Sequence, residues 1–140
     1  MITTLDDQET RKVLQSARVA RLGCIVNGGP YIVPINYNFE DDCLYSHSLP
    51  GTKINALREN PQACVQVDEI ESDLRWRSVM AFGTFAEIKK QTERTEVLAK
   101  LLKRFPMLTP VEAAITTDTC SPGVIVFRIR IDRITGVAEG

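Results

Sequence analysis

In run after run of this chain, apolar residues recur at every second position. That period belongs to strands with one face in a core, and a helix cannot sustain it. Between Arg18 and Val26, the residues Ala20, Leu22, Cys24 and Val26 share a face. From Tyr31 to Phe39, Tyr31, Val33, Ile35, Tyr37 and Phe39 oppose Ile32, Pro34, Asn36 and Asn38. Cys43 to His47, Ala63 to Asp68 and a long run from Arg75 to about Ile88 read as further strands. Gly83 is placed to bend the last of these. The final run, Val124 to Ile131, sets Ile125, Phe127, Ile129 and Ile131 against Arg128, Arg130 and Asp132. Asn27-Gly28-Gly29-Pro30 and Glu40-Asp41-Asp42 are the turns, and Asn-Gly is a hairpin signal.

Three helices interrupt this pattern. Asp6 followed by Glu9 marks a capped start for a helix that ends near Ser16. A second runs from Thr52 to Asn60 and stops before Pro61. A third, from Thr92 to Phe105, gathers Val97, Leu98, Leu101, Leu102 and Phe105 on one face, and Pro106 and Pro110 follow it. Six strands joined mostly by short turns predict an antiparallel barrel or sandwich, mainly β with flanking helices. The whole chain, residues 1–140, reads as one domain, long enough to bury a core without metals or disulfides.

Charge and cysteine usage narrow the function. A net charge of −1 argues against nucleic-acid binding. With no basic-then-apolar leader and no membrane-length apolar run, a cytoplasmic protein is expected. Cys24, Cys43, Cys64 and Cys120 form no C-x-x-C pair, and one histidine cannot complete the common zinc sets. They read as free thiols, largely buried, with Cys120 in a loop, and no metal site is expected.

Three elements carry candidate chemistry. The strand around Pro34-Ile35-Asn36 lacks one ladder donor, which fits an edge strand or a ligand lying against the backbone. The sole histidine, His47, ends a strand before Pro50-Gly51, and Thr52-Lys53 then opens a helix. Helix starts offer free N–H groups and a positive dipole end, so Thr52 and Lys53 there suit a phosphate. A lone histidine is otherwise structural or merely exposed. In Arg75-Trp76-Arg77-Ser78, the arginines share one face and fit a solvated surface or a phosphate clamp. Trp76 fits a core, an interface or a stacking platform.

Taken in order, these pieces resemble the flavin-binding split-barrel family typified by pyridoxamine 5'-phosphate oxidase, and look closest to its nitroimidazole-resistance-type branch. The matching segments are Arg21-Leu22-Gly23, Tyr31 to Tyr37, Leu44 to Ser48 with Gly51-Thr52-Lys53, and Leu57 with Asn60-Pro61. Val65 to Asp68, Trp76 to Val79, Gly83 and Ile134-Thr135-Gly136 complete them. The resemblance implies a six-stranded antiparallel split barrel of Greek-key type that forms a homodimer, with FMN at the subunit interface. It places Val33, Pro34, Ile35 and Asn36 along the flavin ring, and Ser46 and His47 near the ring and ribityl chain. Thr52 and Lys53 would hold the phosphate, with Arg77 and Ser78 closing that pocket and Trp76 beside it. His47 is the catalytic candidate, as a proton or hydrogen-bond donor.

The implied activity is an FMN-dependent oxidoreductase acting on a small acceptor such as a nitroaromatic or quinone-like compound, with NAD(P)H as a candidate donor. A non-catalytic flavin-binding or sensor protein is the alternative. Pyridoxamine phosphate oxidases carry a C-terminal Arg-x-His pair, whereas here the last strand reads Arg128-Ile129-Arg130-Ile131-Asp132-Arg133. That reaction is not expected.

Overall fold

A computed structural model describes residues 1–106 and 123–140; Cys120 and Pro110 lie outside them. The elements in chain order are β1 (Ile2–Thr4), α1 (Asp7–Ser16), β2 (Val19–Val26), β3 (Gly29–Asn36), β4 (Asn38–Glu40) and β5 (Cys43–Ser48). Then come α2 (Thr52–Glu59), β6 (Gln62–Ser72), β7 (Arg75–Glu87), α3 (Gln91–Arg104) and β8 (Ile125–Glu139). Local chemistry explains many of the boundaries. Asp6 Oδ1 accepts from the Glu9 N–H at 2.8 Å, and Glu9 Oε2 accepts from the Asp6 N–H at 3.0 Å, so the capping box forms as read. Asn27 and Gly28 turn β2 into β3 with φ of 50° and 79°. Asp41 and Asp42 turn β4 into β5 with φ of 53° and 59°. Two successive positive φ values give the turn whose twist matches a hairpin's strands.

The antiparallel ladder runs β3-β2-β6-β7-β8-β5-β4, with β1 added against β8. The described residues therefore hold eight strands, where the sequence predicts six. Two causes account for the difference. The run Tyr31 to Phe39 is broken at Tyr37, which leaves β3 on one end of the ladder and β4 on the other. β1 is exposed throughout, so it carries no apolar alternation to read. β8 also runs on to Glu139, well past Ile131, and pairs with β5, β7 and β1. No ladder joins β3 to β4, so the sheet is not closed by hydrogen bonds. A single residue links those two end strands, however, so the sheet must curl until its edges approach.

The curl creates an inside. Ala20, Leu22, Cys24, Ile35, Leu44, Val65, Val67, Val79, Ala81, Phe127 and Ile129 all enter one buried cluster, largely the faces the alternation marks. Tyr31 lies at the exposed rim. Ile54 and Leu57 of α2 are fully buried in the same cluster. A second cluster forms under α3, where Val97, Leu98, Leu101 and Phe105 meet Ile88, Val124 and Val126. The start of β8 thus buries both faces, one on each cluster. At Gly83 the β7–β8 register shifts, and a Cβ there would collide with the Arg130 carbonyl. Of the thiols, Cys24 is buried, while Cys43 and Cys64 are only half-buried.

The end of α1 has neither a basic residue in its last turn nor a glycine cap. Its carbonyls find distant donors instead. Tyr37, fully buried, donates its hydroxyl to Leu14 O at 2.6 Å. Arg104 donates to Gln15 O at 3.0 Å, to Ala17 O at 2.5 Å and to Tyr37 O at 2.7 Å. Arg18 returns the favour to α3, donating to Arg104 O at 2.9 Å. Burial pushes the Tyr37 hydroxyl up to about 12 from its ordinary 10.

Tyr37→Phe should leave the Leu14 carbonyl unsatisfied and cost about 1–3 kcal/mol, read from urea unfolding midpoints. The pH dependence carries a sign. The unfolded tyrosine loses its proton near 10 while the folded one keeps it to about 12, so stability falls across that window. The difference between parent and Tyr37→Phe should shrink as pH rises from 10 to 12.

Candidate cofactor-binding face

β5 separates its residues by alternation. Leu44, Ser46 and Ser48 turn inward and are buried, while Cys43, Tyr45 and His47 share the other face. Ser46 donates to Asn36 O at 2.5 Å and so ties β5 to the end of β3, where no ladder does. His47 lies half-buried opposite Val126 of β8, with its Nδ1 buried. Tyr45, on the same face, packs against the α3 cluster. His47 is thus on the α3 side of β5.

Beyond β5, Leu49, Pro50 and Gly51 are exposed and α2 begins. Gly51 is its N-cap; no side chain caps this end, and its first turn holds no acid. Capping is worth about 1 kcal/mol, whereas burying Ile54 and Leu57 contributes about 1.5–3 kcal/mol each, so packing sets α2 in place without a cap. Thr52 is exposed at this start and Lys53 is half-buried. Burial lowers the Lys53 ammonium below its ordinary value, and the neighbouring Cys24 thiol partly offsets this. Among the described residues no carboxylate pairs with Lys53. Burial is also the main cause that raises the Cys24 thiol, while Lys53 lowers it. The result is a helix start with a desolvated cation and no anion of its own.

The outer face of β3, β2, β6, β7 and β8 is a second surface, built in rungs. One rung reads Pro34, Arg21, Gln66, Met80 and Thr135; the next reads Ile32, Gly23, Cys64, Phe82 and Arg133. A third holds Asp68, Ser78 and Val137, with Asn36 opposite Val19 at the same end. Large apolar side chains stand exposed on it: Ile32 at 68%, Val19 at 48% and Val137 at 39%. A cavity of about 340 Å³ lies at its β1 end beside Ser78 and Met80, and another of about 230 Å³, lined mainly by the opposite face at Glu69 and Arg77 and by Glu9 of α1, opens at the same end of the sheet.

The sequence-predicted residues divide among these surfaces. Pro34 and Asn36 have their side chains on the open face, and Asn36 donates to Arg18 O at 3.2 Å. Ile35 is core and Val33 packs against it, so either could meet a ligand only through backbone. β3 is the edge of the ladder, which accommodates Pro34 directly. Trp76 is half-buried opposite Ile70 and Glu139. Arg75 and Arg77 share a face as read, but each has a carboxylate: Glu71 at 3.2 Å and Glu69 at 3.7 Å. Ser78 accepts from Gln66 at 3.1 Å.

Lys53 lies beside Cys24, next to the Gly23–Cys64–Phe82 rung. Ser78 is four residues along β7 from that rung, a separation of about 13 Å. One chain therefore sets Lys53 and the Trp76-Arg77-Ser78 segment at different levels rather than in one pocket. Arg21, Gln66 and Asp68 lie in segments that carry the resemblance but are not among the candidate site residues, although alternation against Leu22, Val65 and Val67 puts them on this face.

The family profile described as pyridoxamine 5'-phosphate oxidase matches residues 6–138. A crystal structure of a FAD-binding protein from Mesorhizobium loti is similar with a TM-score of 0.79 at 31% identity, covering 100% of this chain and 99% of that one. A putative 5-nitroimidazole antibiotic resistance protein from Bacteroides thetaiotaomicron is similar in fold, with a TM-score of 0.78 at 24% identity, covering 99% of this chain and 87% of that one. An uncharacterised protein of Rhizobium meliloti is 36% identical over 87 residues, 62% of this chain and 58% of that protein.

An anion docking on Lys53 should restore the ammonium toward its ordinary value. Binding of a phosphate ester then takes up protons between the lowered and the restored value, and affinity falls as pH rises through that window. Calorimetry in buffers of different ionisation enthalpy should show this uptake, and Lys53→Met should abolish it.

Proposed function

This chain belongs to the pyridoxamine 5'-phosphate oxidase family, and from that premise we propose that it is an FMN-binding oxidoreductase acting on a small electron acceptor such as a nitroaromatic or quinone-like compound. The observation that carries the reading is the α2 start: an end no side chain caps, Thr52, and a half-buried Lys53 with no carboxylate. That donor set fits a phosphate monoester. A flavin nucleotide, FMN or FAD, would place its ribityl phosphate there, and the similar Mesorhizobium loti protein is described as FAD-binding.

When bound, the flavin supplies hydride and electron transfer. The chain's own residues hold and orient it. Thr52 and Lys53 would take the phosphate and the backbone of Val33 to Asn36 would meet the ring, while Ser46 keeps that strand end in place through Asn36 O. The exposed apolar residues of the open face support a homodimer of split barrels. A second copy would also bring its Trp76 and Arg77 to a site that one chain leaves incomplete. β8 offers no Arg-x-His pair, so pyridoxamine phosphate oxidation lies outside the proposal.

A flavin-binding protein without turnover is the second reading, and one observation favours it. The sole histidine shares the face of Tyr45, which packs under α3, and does not stand on the open face.

The purified protein should be yellow and release FMN on denaturation, and NAD(P)H oxidation with a nitroaromatic separates enzyme from binder. Lys53→Ala should weaken FMN binding by about tenfold to a hundredfold, the loss of one charge-assisted contact of about 1.5–3 kcal/mol. Riboflavin, lacking the phosphate, should bind parent and variant alike; equal loss of both ligands refutes the phosphate assignment. Light scattering should report a dimer, and a flavin-loaded monomer rejects the interfacial site. His47→Ala should leave FMN affinity within a few-fold and lower turnover; unchanged turnover per bound flavin removes His47 from the chemistry.

A further inference from the structure

Gln66 sits mid-face on β6, in register with Arg21 on one side and Met80 on the other. Its Nε2 donates to Asp68 Oδ2 at 3.1 Å, to Ser78 Oγ at 3.1 Å and to Val67 O at 3.3 Å. Asp68 is held in turn by Arg21 Nη1 at 3.5 Å. The carboxylate and the carbonyl can only accept, so the atom facing them must be the amide nitrogen, and the orientation of the Gln66 amide is determined. Two consequences follow from the same donor inventory. An amide nitrogen cannot accept, so the Ser78 hydroxyl receives a hydrogen bond and keeps its own proton to donate elsewhere. Gln66 Oε1 remains an acceptor, and among the described residues no donor reaches it.

We propose that Gln66 Oε1 and the Ser78 hydroxyl form an adjacent acceptor–donor pair that reads the N–H and C=O edge of a planar heterocycle. The floor around them suits such a ring. Pro34 and Met80 lie in the same rung, and Gly23 in the next presents no side chain. A Cβ on Gly23 would stand 2.8 Å from Cys64 Sγ, so that level stays flat. This assignment rests on the flavin reading, because the pyrimidine end of a flavin carries an N–H between two carbonyls. Ser78 thereby serves the ring edge, not the phosphate that Lys53 holds. Asp68 and Arg21 act as positioning residues through Gln66.

The test compares FMN with N3-methyl-FMN, which lacks that N–H. The parent protein should bind the methylated flavin at least tenfold more weakly. Gln66→Leu, of similar size but without the acceptor, should bind the two alike. Ser78→Ala should weaken both flavins while keeping the preference between them, and it serves if Gln66→Leu does not fold. A parent that binds both flavins equally, or a Gln66→Leu protein that keeps the full preference, overturns the assignment while leaving the flavin reading intact. A parent that binds neither overturns the flavin reading and this assignment with it.

Discussion

The fold turns on how the carbonyl end of α1 is satisfied. Its last turn has no basic residue and its cap is no glycine, and a helix end without partners is costly when buried. Tyr37 and Arg104 provide the donors, and each is also a joint in the architecture. Tyr37 is the one residue between β3 and β4, the two ends of the ladder. Arg104 closes α3, and its guanidinium lies 5.2 Å from the centre of the Tyr37 ring. Arg18 completes the exchange by capping Arg104 O and stacking 4.7 Å over Phe105. One cluster thus fixes α1, α3 and both free edges of the sheet. The guanidinium fork makes three carbonyl bonds at once, which a lysine's point charge would not reproduce in that plane.

Because the edges are held by side chains and a one-residue link, the sheet can curl without a closing ladder. Its concave side is filled by aliphatic residues. The convex side divides in two: α3 covers the part made by β5 and the start of β8, and the part made by β3, β2, β6 and β7 stays open. The open part combines apolar surface with one polar chain, Arg21–Asp68–Gln66–Ser78, each member connected to the next. An isolated polar group in such a surface would cost more to cover than this connected chain, since its members already satisfy one another.

Local signals carried much of this into the sequence. The alternation of Ala20-Leu22-Cys24 and of Ile125-Phe127-Ile129 located core faces because a strand's period is two whatever it packs against. Asp6-Glu9 and Asn27-Gly28 worked because capping and turn chemistry act within four residues. The misses have equally physical causes. β1 is a solvent-exposed ribbon that pairs with β8, a partner far away in sequence. The break at Tyr37 was invisible because its side chain keeps the alternating apolar pattern even though its backbone leaves the ladder. Arg77, read as solvated surface or phosphate clamp, has a partner that local sequence hides, because Glu69 faces it only across the β6–β7 hairpin.

What the amino-acid order determined by itself was therefore the set of pieces: strands with an apolar face, hairpin turns, three helices, and a helix start at Thr52-Lys53. Each rests on interactions within a few residues, which the chain carries wherever it goes. Only the tertiary structure decided that Lys53 and Ser78 stand at different levels of the sheet, and that His47 shares a face with Tyr45 beneath α3. It also decided that Gln66 and Ser78 become an oriented pair. Those relations depend on register between strands and on bonds such as Arg104 to Ala17, 87 residues apart. The physical reason is that a side chain's partner across a sheet is chosen by the closure of the whole core, which no local stretch of sequence contains.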